Sequence, residues 1–305
     1  MSMDIPVVIT DLAKNFGTTR ALDGLSMSVT AGSVHGFLGP NGSGKSTTLR
    51  ILLGLAKADA GSVEVFGYDP WRHADIVNPR LAYVPGDVSL WPSLTGGEVL
   101  TMLASSHGRP NTPRRTELID RFELDTTKKT KSYSKGNRQK VALIAALESD
   151  AELLILDEPT TGLDPLMEAA FRECISERRR VGVTVLLSSH MLAEVEALCD
   201  SVTIIRGGRS VESGTLQHFR KLTRLQVRAE AVGSGNTLLA HRGVYDVTVS
   251  ADHLTCTVDR DALNDLLTTL GTIGVTDLSV TPITLEDLFL RQYLQPPDAT
   301  AAAAP

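Results

Sequence analysis

The feature that most constrains this chain is a glycine-rich segment between an apolar run and a helical pattern. The segment consists of Gly39, Pro40, Asn41, Gly42, Ser43, Gly44, Lys45, Ser46 and Thr47. The run Val34 to Leu38 predicts a buried strand before it, and Lys45 to Leu53 predicts a helix after it. A G-x₄-G-K-S pattern between a strand and a helix is typical of a P-loop, whose backbone N–H groups hold phosphate oxygens at a helix N-terminus.

Three side chains of this segment have predicted roles toward a nucleotide. Lys45 is expected to reach the β and γ phosphates, and the Ser46 hydroxyl is expected to ligate Mg²⁺. Thr47 would add a hydroxyl contact to the phosphates. The remaining residues of the segment would supply the backbone cradle, because glycines let the chain curl around the phosphate oxygens.

A pair of acids at the end of another apolar run predicts the hydrolytic chemistry. Leu153 to Leu156 reads as a buried strand, and Asp157 and Glu158 follow it directly. Ligands of α/β sheets bind at the carboxyl ends of the strands, so both acids are expected beside the P-loop. Asp157 is predicted to hold Mg²⁺, directly or through water, and Glu158 is predicted to orient and polarise the attacking water.

Composition restricts the partners and the compartment. The chain has 305 residues and a formal net charge of −6, which argues against a nucleic-acid partner. Its apolar runs are much shorter than the ~20 residues of a membrane-spanning helix, and no secretory signal is predicted at its N-terminus. The three cysteines show no paired spacing, which is typical of reduced, structural thiols in the cytosol.

Segment patterns predict two domains. Residues 1–220 alternate strand-like and helix-like stretches, which indicates an α/β domain with a mainly parallel sheet and a small antiparallel sheet near the N-terminus. A helical subdomain is predicted at about residues 87–150. Residues 223–295 are predicted to form a small α+β domain in which Thr284 caps a final helix, and residues 296–305 are predicted to be a disordered Ala/Pro-rich tail.

Further motifs make the sequence resemble the ATP-binding-cassette (ABC) ATPases. Pro159 to Pro165 matches the family's D-loop, and Tyr133 to Gln139 stands where the LSGGQ signature belongs. His190, after Leu-Ser-Ser, matches the switch histidine, and Phe16 sits where the family stacks an aromatic ring on adenine. The motifs occur in the family's order, and the resemblance covers residues from about 5 to 220.

The resemblance implies a P-loop cassette fold, ATP as the nucleotide and a mechanism. Two copies of the chain would close head to tail over two ATP molecules, and ATP would shift the population toward closure. Each site would combine the P-loop of one copy with Ser134 and Gly136 of the other, which would donate to the γ-phosphate. His190 would contact the same phosphate, and Asp164 in the D-loop would also lie at the nucleotide.

Two departures from the family's pattern affect the site. Gly86 stands where the family usually carries glutamine after a Tyr-x-Pro strand end, and glycine has no side chain for Mg²⁺ or water. Either Asp87 takes over that role as a metal ligand, or the loop senses the nucleotide through its backbone. The signature also has Tyr133 in place of leucine, Lys135 in place of glycine and Asn137 in place of glutamine, but it keeps the serine and glycine that would contact phosphate.

Other segments resemble the drug- and antibiotic-exporting subfamily of the ABC-2 type. They are the Tyr-Ser-Lys-Gly signature, the Pro-Gly-Asp segment and the ending from Ser279 to Phe289. The resemblance implies a separate integral-membrane permease docked on the helical subdomain, and a location in the cytoplasm on the inner face of the membrane. The alternatives are a soluble ABC ATPase acting on ribosomes or DNA, and a weakly hydrolysing regulatory module suggested by Gly86. The region 223–295 is assigned to dimer or partner contacts, with ligand sensing as its alternative.

Overall fold

The computed structural model describes residues 5–106, 112–222, 225–231, 242–250 and 253–282. The chain divides into two compact units, Met1–Thr215 and Leu216–Pro305. The strands of the first unit are β1 (Val7–Phe16), β2 (Thr19–Val29), β3 (Val34–Leu38), β4 (Ala60–Val65), β5 (Leu81–Val84), β6 (Leu153–Asp157), β7 (Thr184–Ser189), β8 (Ser201–Arg206) and β9 (Arg209–Thr215). Its helices are α1 (Lys45–Leu52), α2 (Ala74–Val77), α3 (Gly96–Ser106), α4 (Thr112–Arg121), α5 (Lys135–Glu148), α6 (Pro165–Arg180) and α7 (Leu192–Leu198).

The main sheet of the first unit has six strands in the order β5-β6-β7-β3-β8-β9. The first five strands of that order are parallel, and β9 pairs antiparallel with β8. The strands β3, β6 and β7 are buried along their whole length, as expected of apolar runs covered on both faces. The mainly parallel α/β sheet predicted from the sequence is confirmed.

A second, antiparallel sheet in the order β2-β1-β4 lies against the same core as α1. Its alternating pattern buries Val7, Ile9, Leu25 and Val29, which pack with Phe37 of β3. The predicted small antiparallel sheet near the N-terminus is therefore confirmed for β1 and β2, whereas its third strand, β4, was not predicted.

The segment between β5 and β6 is helical, as predicted. Helices α3 and α4 both pack on α5. An ion pair joins α4 to α5, since Arg115 donates two hydrogen bonds of 2.9 Å to the buried Glu148. Ser134 is the N-cap of α5 and accepts a hydrogen bond of 3.2 Å from the Asn137 N–H. Within the described residues, no helix is both long enough and apolar enough to cross a membrane.

The second unit has an α+β arrangement, as predicted. Helix α8 (Leu216–Leu222) precedes an antiparallel sheet of β10 (Leu225–Ala231), β11 (Val244–Ser250), β12 (His253–Val258) and β13 (Val275–Pro282) in the order β11-β12-β10-β13. Helix α9 (Leu263–Ile273) buries Leu266 and Leu270 in the core of this sheet. The predicted final helix capped by Thr284 and the predicted disordered tail lie outside the described residues.

A buried histidine inside the main sheet predicts a pH-dependent stability. His35 in β3 pairs with the hydroxyls of Thr203 and Ser201 at 2.9 Å each, and burial lowers its pKa to about 4 from the ordinary 6.5. The imidazole of His35 binds a proton more tightly in the unfolded chain than in the folded one. The folded state therefore has its full stability above about pH 6.5 and loses stability as the pH falls toward 4. The free energy of unfolding should fall by about 3 kcal/mol from this residue alone.

Denaturant unfolding between pH 7.5 and pH 4.5, roughly spanning the window in which His35 titrates, would measure this loss. The variant His35→Gln keeps a group that can donate and accept but does not titrate, so its unfolding free energy should depend less on pH. An identical pH dependence in the wild type and the variant would contradict the prediction.

Candidate active site

The site forms where three neighbouring strands of the main sheet end. In the register of the sheet, Leu38 at the end of β3 lies opposite Ser189 in β7, and Asp157 in β6 lies opposite Ser188. The loops that follow these strands therefore meet at one edge of the sheet. This edge brings together the predicted P-loop, the predicted pair of acids and the segment that contains His190.

The P-loop is shaped by two glycines with positive φ angles and by close approach to the rest of the fold. Gly42 has φ 80° and Gly44 has φ 112°, which only glycine adopts without strain. A Cβ atom at Gly44 would lie 2.7 Å from the Ala21 carbonyl oxygen of β2. The buried Ser43 hydroxyl has no hydrogen-bond partner within the described residues, which fits a loop built to receive a phosphate.

Lys45 points into this loop rather than into solvent. Its ammonium donates to the carbonyl oxygens of Gly39 at 2.6 Å and Pro40 at 3.1 Å, and it lies 4.0 Å from the Glu158 carboxylate. Burial lowers the pKa of Lys45, and the charges of Glu158 and Asp157 act in the opposite direction. A desolvated cation at the centre of the loop would bind phosphate oxygens strongly.

Asp157 is held in a fixed orientation by two hydroxyls. It accepts a hydrogen bond of 3.1 Å from Ser46 at the start of α1 and one of 2.5 Å from Ser188 in β7. The carboxylate and the Ser46 hydroxyl thus stand side by side, and they form the kind of oxygen pair with which Mg²⁺ is held on a nucleotide. Among the residues that the structure describes, no group of three or more His, Cys, Asp and Glu side chains is placed to hold a metal ion.

Glu158 has a strained backbone and a polar partner. Its φ is 47°, in a region that non-glycine residues adopt at a cost of about 1–3 kcal/mol and that often occurs at functional sites. Its N–H donates to the Ser188 carbonyl oxygen at 3.1 Å, and its Oε1 lies 3.1 Å from the His190 Nδ1. The two side chains, 24% and 47% exposed, leave the pair open to a water molecule or a phosphate.

The other predicted nucleotide contacts lie on other elements of the first unit. Phe16 at the end of β1 is half-exposed, and the Lys14 ammonium lies 5.4 Å from its ring. Ser134 and Gly136 lie at the N-terminus of α5, beside the D-loop. Asp164 is the N-cap of α6 and accepts hydrogen bonds from two N–H groups of that helix, a structural role that the sequence did not predict.

The structure also shows how the glycine at position 86 sits. A Cβ atom there would lie 3.2 Å from the Asp157 carbonyl oxygen and 3.7 Å from its Oδ2, so the backbone of this loop contacts the metal-binding candidate. Asp87 next to it is exposed. Both alternatives for this loop, a metal contact through Asp87 and a contact through the backbone, are compatible with this placement.

Sequence reasoning missed three residues that support the site. Ser188 orients Asp157, Gln139 in α5 donates to the Pro159 carbonyl oxygen at 3.1 Å, and Glu194 in α7 accepts from Ser189 at 2.6 Å. Burial raises the pKa of Glu194, although hydrogen bonds act against the rise. The available signal was polarity in buried positions, since Ser188 interrupts an apolar strand and Gln139 lies among the apolar residues of α5.

Comparisons with known proteins show the family of the chain. The family model described as "ABC transporter" matches residues 22–161. The daunorubicin resistance ATP-binding protein DrrA3 of Streptomyces coeruleorubidus is 35% identical over 94% of this chain and 96% of that protein. The bacitracin transport ATP-binding protein BcrA of Bacillus licheniformis is 31% identical over 95% of this chain and 97% of that protein.

A solved structure described as the ATP-binding subunit of an ABC transporter superposes with a TM-score of 0.66 and 32% identity, over 70% of this chain and 91% of that one. The matched residues of the family model include the P-loop, Asp157 and Glu158, which the main sheet brings together. The chain therefore belongs to the ATP-binding proteins of the ABC transporter family, whose cassettes bind and hydrolyse ATP.

Proposed function

We propose that this protein hydrolyses ATP to drive the export of a drug, an antibiotic or another hydrophobic compound through a separate integral-membrane permease. The observation that carries the proposal is the meeting of the P-loop, Asp157 and Glu158 at one sheet edge, in a chain whose full-length relatives are named for drug resistance and antibiotic transport. Another relative, from Ralstonia nicotianae, is named for Nod factor export. These names do not favour the alternative of a soluble cassette acting on ribosomes or DNA.

In this proposal, each side chain of the site has one role in the hydrolysis. Lys45 binds the β and γ phosphates, and Ser46 and Asp157, which are hydrogen-bonded to each other, would hold Mg²⁺. Glu158 orients the attacking water and takes up its proton, while His190, 3.1 Å from Glu158, contacts the γ-phosphate. Bound Mg²⁺ would neutralise charge that develops on the phosphate oxygens.

The proposal includes a dimer in which each nucleotide lies between two copies of the chain. Ser134 and Gly136 lie at the N-terminus of α5, where backbone N–H groups and the helix dipole attract an anion such as the partner's γ-phosphate. The half-exposed Phe16 would stack on the adenine ring, and Asp164 would lie near the nucleotide at the base of the D-loop.

An apolar groove beside the active site is the proposed docking point of the permease. It has a volume of about 180 Å³ and lies between the end of β5, helix α5 and the loop that ends at Trp91. Tyr83, Pro85 and Val88 line it, and Trp91 is 50% exposed. An amphipathic cytoplasmic helix of the permease would bury this apolar surface and place the protein on the inner face of the membrane.

The loop from Pro85 to Val88 connects this groove with the active site. Gly86, next to Pro85 in the groove wall, contacts the Asp157 backbone, so a shift at the groove reaches the metal-binding candidate through one loop. The small α+β domain at residues 223–295 is assigned to contacts with the permease or with a second copy of the chain.

Export is tested by the efflux of fluorescent hydrophobic compounds from cells that lack the native gene. Restoring the wild-type chain should lower the cellular accumulation of at least one compound in a panel, and restoring the variant Glu158→Gln should not. Equal accumulation with both chains across the panel would contradict ATP-driven export.

The variant Asp87→Ala tests whether this aspartate replaces the missing glutamine. If Asp87 contacts Mg²⁺ directly or through water, we expect its loss to raise the Mg²⁺ concentration for half-maximal hydrolysis by roughly threefold, as for one lost polar contact. Steady-state ATPase assays over a Mg²⁺ series measure this shift. The control Asp75→Ala removes another exposed aspartate and should leave the Mg²⁺ dependence unchanged. An unchanged Mg²⁺ dependence in Asp87→Ala would favour the backbone contact of Gly86.

A further inference from the structure

The D-loop that follows Glu158 contacts α5, the helix whose N-terminus carries the signature residues. Gln139 in α5 is 1% exposed, and its Nε2 donates to the Pro159 carbonyl oxygen at 3.1 Å. Such a buried amide needs its partner, because an unpaired donor in a water-free position destabilises the structure. The hydrogen bond therefore fixes the position of Pro159 relative to α5.

A second contact between the same segments lies one turn earlier in α5. A Cβ atom at Gly136 would overlap the Gly162 carbonyl oxygen, so the two backbones are in contact. A Cβ atom at Gly162 would lie 3.5 Å from the Lys135 Cγ. The D-loop thus contacts the N-terminal turn of α5 directly and Gln139 below it, and α5 and the D-loop are held together at two points.

This connection ends at the proposed catalytic residue. Pro159 directly follows Glu158, whose backbone is strained at φ 47° and persists only because its surroundings hold it. On the other side, the Glu158 N–H is fixed by the Ser188 carbonyl oxygen at 3.1 Å. Ser188 therefore holds the peptide group before Glu158, and Gln139 holds the peptide group that follows Pro159.

We propose that Gln139 is a positioning residue that couples the two nucleotide sites of the dimer. The inference rests on the proposed function, in which Ser134 and Gly136 contact the nucleotide held by the partner and Glu158 acts on the nucleotide held by its own chain. When the N-terminus of α5 engages the partner's nucleotide, Gln139 transmits the displacement to Pro159. The Glu158 carboxylate then reaches its working position only when the other site is also filled.

The substitution Gln139→Leu tests this proposal, because leucine has a similar size and no donor. In ATPase assays of the purified full-length chain, kcat should fall about tenfold, as expected for a misplaced general base, while KM stays within about twofold. The Hill coefficient for ATP should exceed about 1 in the wild type and fall to about 1 in the variant. A wild-type Hill coefficient of 1, or an unchanged kcat and Hill coefficient in Gln139→Leu, would overturn the proposal.

The control Thr130→Val removes a comparable hydrogen bond that does not reach the D-loop. The Thr130 side chain is 2% exposed, and its hydroxyl donates to the Trp91 carbonyl oxygen at 2.6 Å. This variant should lower Tm but keep the wild-type kcat and Hill coefficient. If it lost both to the same extent as Gln139→Leu, a general loss of stability would explain the effect and the coupling would be refuted.

The variant Gln139→Glu keeps the proposal testable even if leucine disturbs the fold. An ionised carboxylate cannot donate to the Pro159 carbonyl oxygen, whereas a protonated one can, and burial raises the pKa of a carboxyl group. The ratio of its kcat to that of the wild type should therefore rise as the pH is lowered, and a ratio that is independent of pH would count against the hydrogen bond. Turnover that survives in Glu158→Gln would instead refute the proposed catalytic role of Glu158, which separates the two failures.

Discussion

The variant Glu158→Gln should lose ATP turnover by roughly 10³-fold while it keeps its affinity for ATP, because a general base is removed and the phosphate contacts remain. Glutamine has the same shape as glutamate and can still lie 3.1 Å from His190, but it cannot take up a proton from water. The P-loop and the Ser46–Asp157 pair are untouched by this change. Single-turnover assays would measure the chemical step, and a fluorescent ATP analogue would measure binding.

The control Glu152→Gln makes the same change at the residue that directly precedes the start of β6. Glu152 pairs with Arg80 at 2.7 Å, and its side chain is 56% exposed, far from the loops of the active site along the same strand. Its turnover should stay within about twofold of the wild type, since exposed ion pairs contribute about 1 kcal/mol or less. Wild-type turnover in Glu158→Gln would remove Glu158 from the mechanism.

In the variant Lys45→Met, kcat/KM should fall by about 10³-fold or more, because both ATP binding and the chemical step depend on the Lys45 ammonium. A charge-assisted hydrogen bond to phosphate is worth about 1.5–3 kcal/mol in affinity. Stabilisation of the transferred phosphoryl group adds a further loss in kcat. Methionine is unbranched and nearly as long as lysine, but it leaves the Gly39 and Pro40 carbonyl oxygens without their donor.

Titration with the fluorescent analogue and steady-state kinetics separate these two losses. The control Lys57→Met changes an exposed lysine beyond the end of α1 and should leave both quantities unchanged. Affinity and turnover at the wild-type level in Lys45→Met would contradict the assignment of residues 39–47 as the phosphate-binding loop.

The sequence predicted those parts of the site that consist of residues adjacent in the chain. The P-loop combines a strand, glycines with positive φ and a helix start within one segment, and each of these properties is local. The pair Asp157 and Glu158 follows a buried strand in the same local way. The structure confirmed the strands and helices around both segments with ends that differ by one or two residues, as fraying and capping lead one to expect.

The parts that the sequence did not predict depend on contacts between distant segments. Nothing local shows that β7 lies between β3 and β6, so the hydrogen bond from Ser188 to Asp157 required the sheet order. The contact of Gln139 with Pro159 depends in the same way on how α5 packs. The capping role of Asp164, in contrast, is local, because its partners are the N–H groups of Leu166 and Met167 and Asp-Pro is a recognisable helix start. The consequence of Gly86 also emerged from the fold, which places its backbone against Asp157.

The central claim is that this ATPase works with an integral-membrane partner, and co-purification tests it most directly. The tagged full-length chain would be isolated from detergent-solubilised membranes of its native host, and the proteins bound to it would be identified by mass spectrometry. We predict recovery of a protein with several membrane-spanning segments, its loss with Trp91→Glu in the apolar groove, and its retention with Val181→Glu, which changes a residue 72% exposed at the C-terminus of α6. Recovery of ribosomal proteins or DNA instead, with no membrane protein in any preparation, would contradict the claim.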